Sequence, residues 1–107
     1  MTAAPEERLI KAQELMAAAK AYEAIAELET LLQEDPSNFR ALVYLGLYQF
    51  KLGAIARGRE CMQKALEVAP SADDQNKIRM ILREQDTLDK NRYYRPDFEA
   101  LNKKKKA

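Results

Sequence analysis

An all-α fold built from stacked, repeated helix pairs is predicted by three observations. Pro36 and Pro70 stand 34 residues apart, and the segments leading up to them align without a gap. Ala12 then matches Gly46, Ala24 matches Gly58, Leu28 matches Met62 and Leu32 matches Leu66, while residues 31–36 and 65–70 close the two copies with nearly the same pattern. A period of about 20 to 50 residues marks stacked units that present an extended surface. With only three glycines, four prolines and long Ala/Glu/Leu/Lys stretches, the 107-residue chain favours helix, because straight-chain side chains lose little rotamer freedom there. No segment alternates at the period of two that a strand needs.

The first helix is expected from Pro5 to Ala18, since proline is tolerated in a first turn and Glu6 and Glu7 complement the positive end of the helix dipole. A second runs from Tyr22 to Glu34. Residues 35–38 form a turn by composition: Pro36 disfavours helix at Asp35, and Ser37 or Asn38 can cap the next helix. The third helix spans Phe39 to Leu52 and is closed by Gly53, and the fourth covers Ile55 to Val68 before Pro70. Ser71, with Asp74 three residues on, opens a fifth helix to about Asn91. Its Ile78, Ile81, Leu82 and Leu88 recur at helical spacing, so it can cap the exposed side of the second pair. The tail, residues 92–107, changes character: it is basic and aromatic, and Pro96 can start a short helix from Asp97 to Lys103 with Phe98 and Leu101 on one side. An extended course for this segment is the other reading, and Tyr93 and Tyr94 are the residues expected to tie it down.

Residues 41–53 and 64–70, with Leu45 and Gly46 as a Leu-Gly pair, resemble the tetratricopeptide repeat, with Leu42 where that family usually carries tryptophan. The resemblance implies a right-handed solenoid of antiparallel helix pairs: repeats at about 5–36 and 39–70, a capping helix at about 72–91, and one domain over 1–91. Gly46, Gly58 and Ala65 are small where helix backbones must approach. The first copy carries Ala12, Tyr22, Ala24 and Ile25 in place, but Arg8 and Lys11 replace the apolar pair, Ala19 replaces the turn glycine, and Leu31 is large where alanine is usual. Gln49 stands where an aromatic is common. Solenoids usually need about three repeats to bury a continuous core, and two plus a capping helix leave room for a partner or a second copy.

Composition argues against catalysis. The chain has no histidine and one cysteine, which removes the usual proton shuttle, the commonest metal ligand and any internal disulfide. Cys61, inside an apolar helical stripe, reads as a small core residue of a reducing compartment. Gly46 and Gly53 lack the Gly-Lys-Ser/Thr that a phosphate loop requires, so neither cofactor nor metal is expected. There is no signal-peptide apolar core and no run near the roughly 18 apolar residues that span a bilayer, so the expectation is a soluble cytoplasmic protein without membrane insertion. Charge is uneven despite a total of +1: residues 1–38 carry three basic and eight acidic side chains, whereas residues 92–107 carry six basic and two acidic.

By the resemblance, the first helix of each pair lines a concave, peptide-binding groove: Leu9, Gln13 and Met16 from the first helix, and Arg40, Val43, Leu47, Phe50 and Lys51 from the third. Tyr44 joins Leu9 and Gln13 at the places where many family members carry a carboxylate clamp, and Lys77 and Ile81 extend the surface onto the capping helix. The spacing of 40, 43, 47, 50 and 51 independently puts those residues on one side of a helix. That side is mostly apolar, with Arg40 and Lys51 on its rim, so the expected function is an adaptor or small chaperone that binds an amphipathic helical or extended segment of a protein partner. Two other classes stay open: self-assembly into homo-oligomers through the incomplete solenoid ends, and RNA or ribosome association through Lys103, Lys104, Lys105 and Lys106 with the aromatic residues before them. Nucleic acid is the weakest of the three.

Overall fold

The computed structural model describes residues 5–93 and places five α-helices there: α1 (Pro5–Ala17), α2 (Ala21–Glu34), α3 (Phe39–Lys51), α4 (Ile55–Val68) and α5 (Ala72–Tyr93). Among the described residues no strand occurs. The tail from Tyr94, including the expected short helix from Asp97 and the lysines Lys103 to Lys106, lies outside the described residues. α5 continues two residues beyond the expected Asn91, because no helix breaker intervenes before Pro96.

Both ends of α3 and of α4 fall 34 residues after the matching ends of α1 and α2. The turns repeat as well. At the first, the Ala19 N–H donates to the Met16 carbonyl (3.0 Å) and the Lys20 N–H to the Leu15 carbonyl (2.8 Å); at the second, Gly53 donates to Phe50 (3.0 Å) and Ala54 to Gln49 (2.9 Å). This pair of bonds is the Schellman arrangement, which ends a helix by putting one residue in the left-handed region. Ala19 has φ +63° and Gly53 φ +83°. An alanine in that region costs about 1–2 kcal/mol, partly offset because it restricts the unfolded chain more than glycine does. A Cβ at Gly53 would meet no atom within 4 Å, so only the backbone decides the outcome there. Ala19→Gly should therefore raise stability by about 0.5–1 kcal/mol, and Gly53→Ala should lower it by a similar amount. Urea midpoints measure both, and a loss of stability in Ala19→Gly would show that the turn is not left-handed in solution.

The caps satisfy helix N-termini with local side chains. Asn38 Oδ1 accepts from the Ala41 N–H (3.0 Å), and Ser71 Oγ accepts from the Asp74 N–H (3.2 Å) while donating to Asp74 Oδ2 (2.9 Å).

Helix directions are set by which ends meet. Arg8, early in α1, pairs with Glu34 at the end of α2, and Phe50, near the end of α3, lies on Gly58 near the start of α4, so both pairs are antiparallel. Arg59 of α4 binds Asp86 and Asp89 near the end of α5, which makes α4 and α5 antiparallel too. α1 and α3 run the same way, joined by Arg40 to Glu6 (3.9 Å) and Gln13 to Tyr44. Two clusters form the core. Leu9, Ala12, Ala24, Ile25, Leu28 and Leu31 meet Ala41, Leu45 and Tyr48 from α3, and a second cluster joins Leu42, Met62, Ala65 and Ile78. Leu32 and Leu47 pack against both and make them continuous.

Candidate protein-binding face

Arg8 and Lys11, which break the apolar pattern of the first copy, are explained by their partners on α2. Arg8 lies 3.4 Å from Glu27 and 3.7 Å from Glu34, and Lys11 lies 3.0 Å from Glu27. Thirty-four residues later the same four places hold Leu42, Leu45, Cys61 and Val68. Leu42 and Leu45 are buried, and Cys61 and Val68 are half-buried against the core. The outer side of the first pair is thus an ion-paired surface where the second pair is an apolar joint. Burial pushes the Cys61 thiol above its ordinary pKa, which keeps it neutral and unreactive near pH 7.

Nine of the eleven expected groove residues fall into three sets. Gln13 and Tyr44 meet directly: the Gln13 amide donates to the Tyr44 hydroxyl oxygen at 2.6 Å, across α1 and α3. The Tyr44 ring in turn sits 6.1 Å from that of Tyr48 at a 31° tilt. Burial, and then the neighbouring Tyr44, raise the pKa of the Tyr48 hydroxyl. Met16, Val43, Leu47 and Ile81 are half-buried, each packing on the core with part of its surface left to solvent. Arg40, Lys51 and Lys77 are exposed.

The other two, buried Leu9 and half-buried Phe50, have packing roles that helical spacing does not reveal. Leu9 is only 3% exposed and belongs to the first core cluster. The Phe50 ring covers Gly58, where an added Cβ would lie 2.5 Å from its Cδ1 and Cε1. Phe50 therefore fills the α3–α4 joint as well as packing on the second cluster.

Spacing alone did not single out Met80. It is 65% exposed and, with Lys77, Ile81, Arg83 and Glu84, lines an open depression of about 400 Å³ on α5. Leu88, expected on the capping face with Ile78, Ile81 and Leu82, is instead 57% exposed, because it lies a full ten residues beyond Ile78, past the part of α5 that meets the second core cluster. Among the described residues no helix is long and apolar enough to cross a membrane. No family model, no curated protein and no solved structure matches the chain.

Proposed function

We propose that the chain is a tetratricopeptide-like, non-catalytic interaction module that binds an amphipathic segment of a protein partner across α1, α3 and α5. The observation that carries this reading is the half-buried apolar set Met16, Val43, Leu47 and Ile81, with the exposed cations Arg40, Lys51 and Lys77 one helical turn from Val43, Leu47 and Ile81 and Arg40 also paired with Glu6. The repeated 34-residue boundaries and paired Schellman turns support the family resemblance. An apolar strip accepts the i, i+3, i+4 face of a helix, and a cationic rim favours acidic residues beside it.

Open-ended self-assembly is disfavoured by the chemistry of the two ends. A head-to-tail contact would set the apolar Met80 and Leu88 of one copy against the Arg8, Lys11, Glu27 and Glu34 surface of the next. Desolvating those ion pairs costs several kcal/mol per ion before any apolar gain.

The test captures partners from source-cell lysate on the full chain, identifies them by mass spectrometry and measures binding of the contacted segment as a synthetic peptide. Val43→Asp should weaken that peptide's Kd at least tenfold, about 1.4 kcal/mol, with helix content unchanged. Reversing the exposed charges (Arg40→Glu, Lys51→Glu, Lys77→Glu) should chiefly slow association and flatten its salt dependence. Equal capture and equal affinity in both variants would remove the groove from the mechanism.

A further inference from the structure

The contact between Gln13 and Tyr44 leaves bonding capacity unused on both side chains. The Gln13 amide N–H donates to the Tyr44 hydroxyl oxygen, so that oxygen is the acceptor and its own proton points elsewhere. Among the described residues no acceptor meets that proton and no donor meets Gln13 Oε1. Both residues are half-buried, and Oε1 keeps contact with solvent. Turning the Gln13 amide over exchanges the two roles and again leaves one donor and one acceptor unused. The joint itself does not need a polar pair: 34 residues on, the same two places hold Leu47 and Ile78, of which Ile78 belongs to the second cluster and Leu47 packs on it. Leu9 and Met16 stand one turn to either side of Gln13, and Leu47 stands one turn beyond Tyr44, so the pair is a polar spot among apolar neighbours.

We propose that this pair reads one carboxamide side chain, an asparagine or glutamine set within the apolar face of the bound partner segment. The inference rests on the groove reading: a segment laid over α1 and α3 shuts water out of the spot, and a donor and an acceptor left there without partners cost affinity. A carboxamide supplies both missing groups, because its carbonyl oxygen accepts the Tyr44 proton and its N–H donates to Gln13 Oε1. An aliphatic side chain supplies neither. A carboxylate supplies an acceptor but no donor, and sets its second oxygen against Gln13 Oε1. Sites that hydrogen-bond a group reject the analogue lacking it more strongly than an apolar pocket separates two aliphatic side chains. Acidic residues of the partner therefore belong beside Lys51 and Lys77, and the amide belongs over Gln13 and Tyr44.

Selection of peptides from a random displayed library on the full chain tests it, with Kd then measured for one selected peptide and its single-site variants. The selected sequences should share an Asn or Gln at a fixed distance from apolar residues. Exchanging that residue for Leu should weaken binding to the unmodified chain about tenfold or more. Against Gln13→Leu with Tyr44→Phe, which makes the spot apolar, the same exchange should cost nothing or improve binding. Tyr44→Phe alone removes one oxygen and keeps the ring beside Tyr48, so it should narrow the difference by about threefold or more and decides the matter if the double variant does not fold. Peptides that lose affinity with Val43→Asp but show no Asn or Gln preference, as recognition of the peptide backbone alone would produce, overturn this inference and leave the groove standing. A preference that survives in both variants does the same. Peptides indifferent to Val43→Asp, or no selected peptide at all, overturn both readings.

Discussion

Gly58→Ala is expected to destabilise the protein by about 1–2 kcal/mol although alanine is the better helix former, and Phe50→Met in the same chain is expected to restore most of the loss. A Cβ at position 58 lands 2.5 Å from two carbons of the Phe50 ring and 3.0 Å from the Gly46 carbonyl oxygen, so ring and backbone must both give way. Overpacking of this kind costs about 1–3 kcal/mol, against roughly 1 kcal/mol gained from helix propensity. The first helix pair displays the alternative solution: its matching positions are Ala24, fully buried, and Met16, a flexible side chain in place of a rigid ring. The double variant copies that solution into the second pair. A double-mutant cycle should give a favourable coupling of about 1 kcal/mol or more between positions 50 and 58. Gly46 offers a contrast, because the nearest atom to a Cβ there is the mobile Met62 methyl at 2.8 Å, and Gly46→Ala should cost less than Gly58→Ala. Strictly additive effects at 50 and 58 would mean that the ring and the glycine do not share a joint.

What could be read from the sequence was mostly local. Asn38 and Ser71 announce helix starts because their side chains reach N–H groups three residues on, and Gly53 announces a stop because the turn needs its conformation. Helix boundaries were therefore legible to within one or two residues. Ala19 looked like a departure from the repeat, yet its backbone adopts the left-handed turn of Gly53, because the Schellman bonds on both sides of it impose that geometry. Arg8 and Lys11 also looked like departures. Their partners, Glu27 and Glu34, lie 16 to 26 residues away, beyond any periodic pattern. Spacing likewise told which side of α3 Phe50 occupies but not that Gly58 stands opposite. The pairing of Met16 with Ala24 and of Phe50 with Gly58, one repeat apart, held that information.

Ile78→Ala is the second substitution expected to have a large effect, at about 2–4 kcal/mol. Ile78 is 1% exposed and closes the cluster of Leu42, Met62 and Ala65 from the α5 side. Truncating a buried isoleucine loses its transfer free energy and leaves a cavity, which together cost about 2–5 kcal/mol. For a domain near one hundred residues, whose whole stability is about 5–15 kcal/mol, such a loss is severe. The more informative result is its distribution along the chain. Stability in a repeat protein passes between neighbours, so loosening α5 should first uncover α3 and α4, whose Leu42, Met62 and Ala65 would lose their cover. Amide exchange should then rise in α5, α3 and α4 together and less in α1 and α2, which keep Leu9, Leu28 and Leu31 packed on one another. The Arg59 bridges to Asp86 and Asp89 cannot substitute for Ile78, because Arg59 is 37% exposed and partly solvated ion pairs contribute only about 0–1 kcal/mol. Faster exchange confined to α5 would instead make that helix a separable lid over a core that is stable without it, and the uncovered Leu42-Met62-Ala65 surface would then be available to a partner.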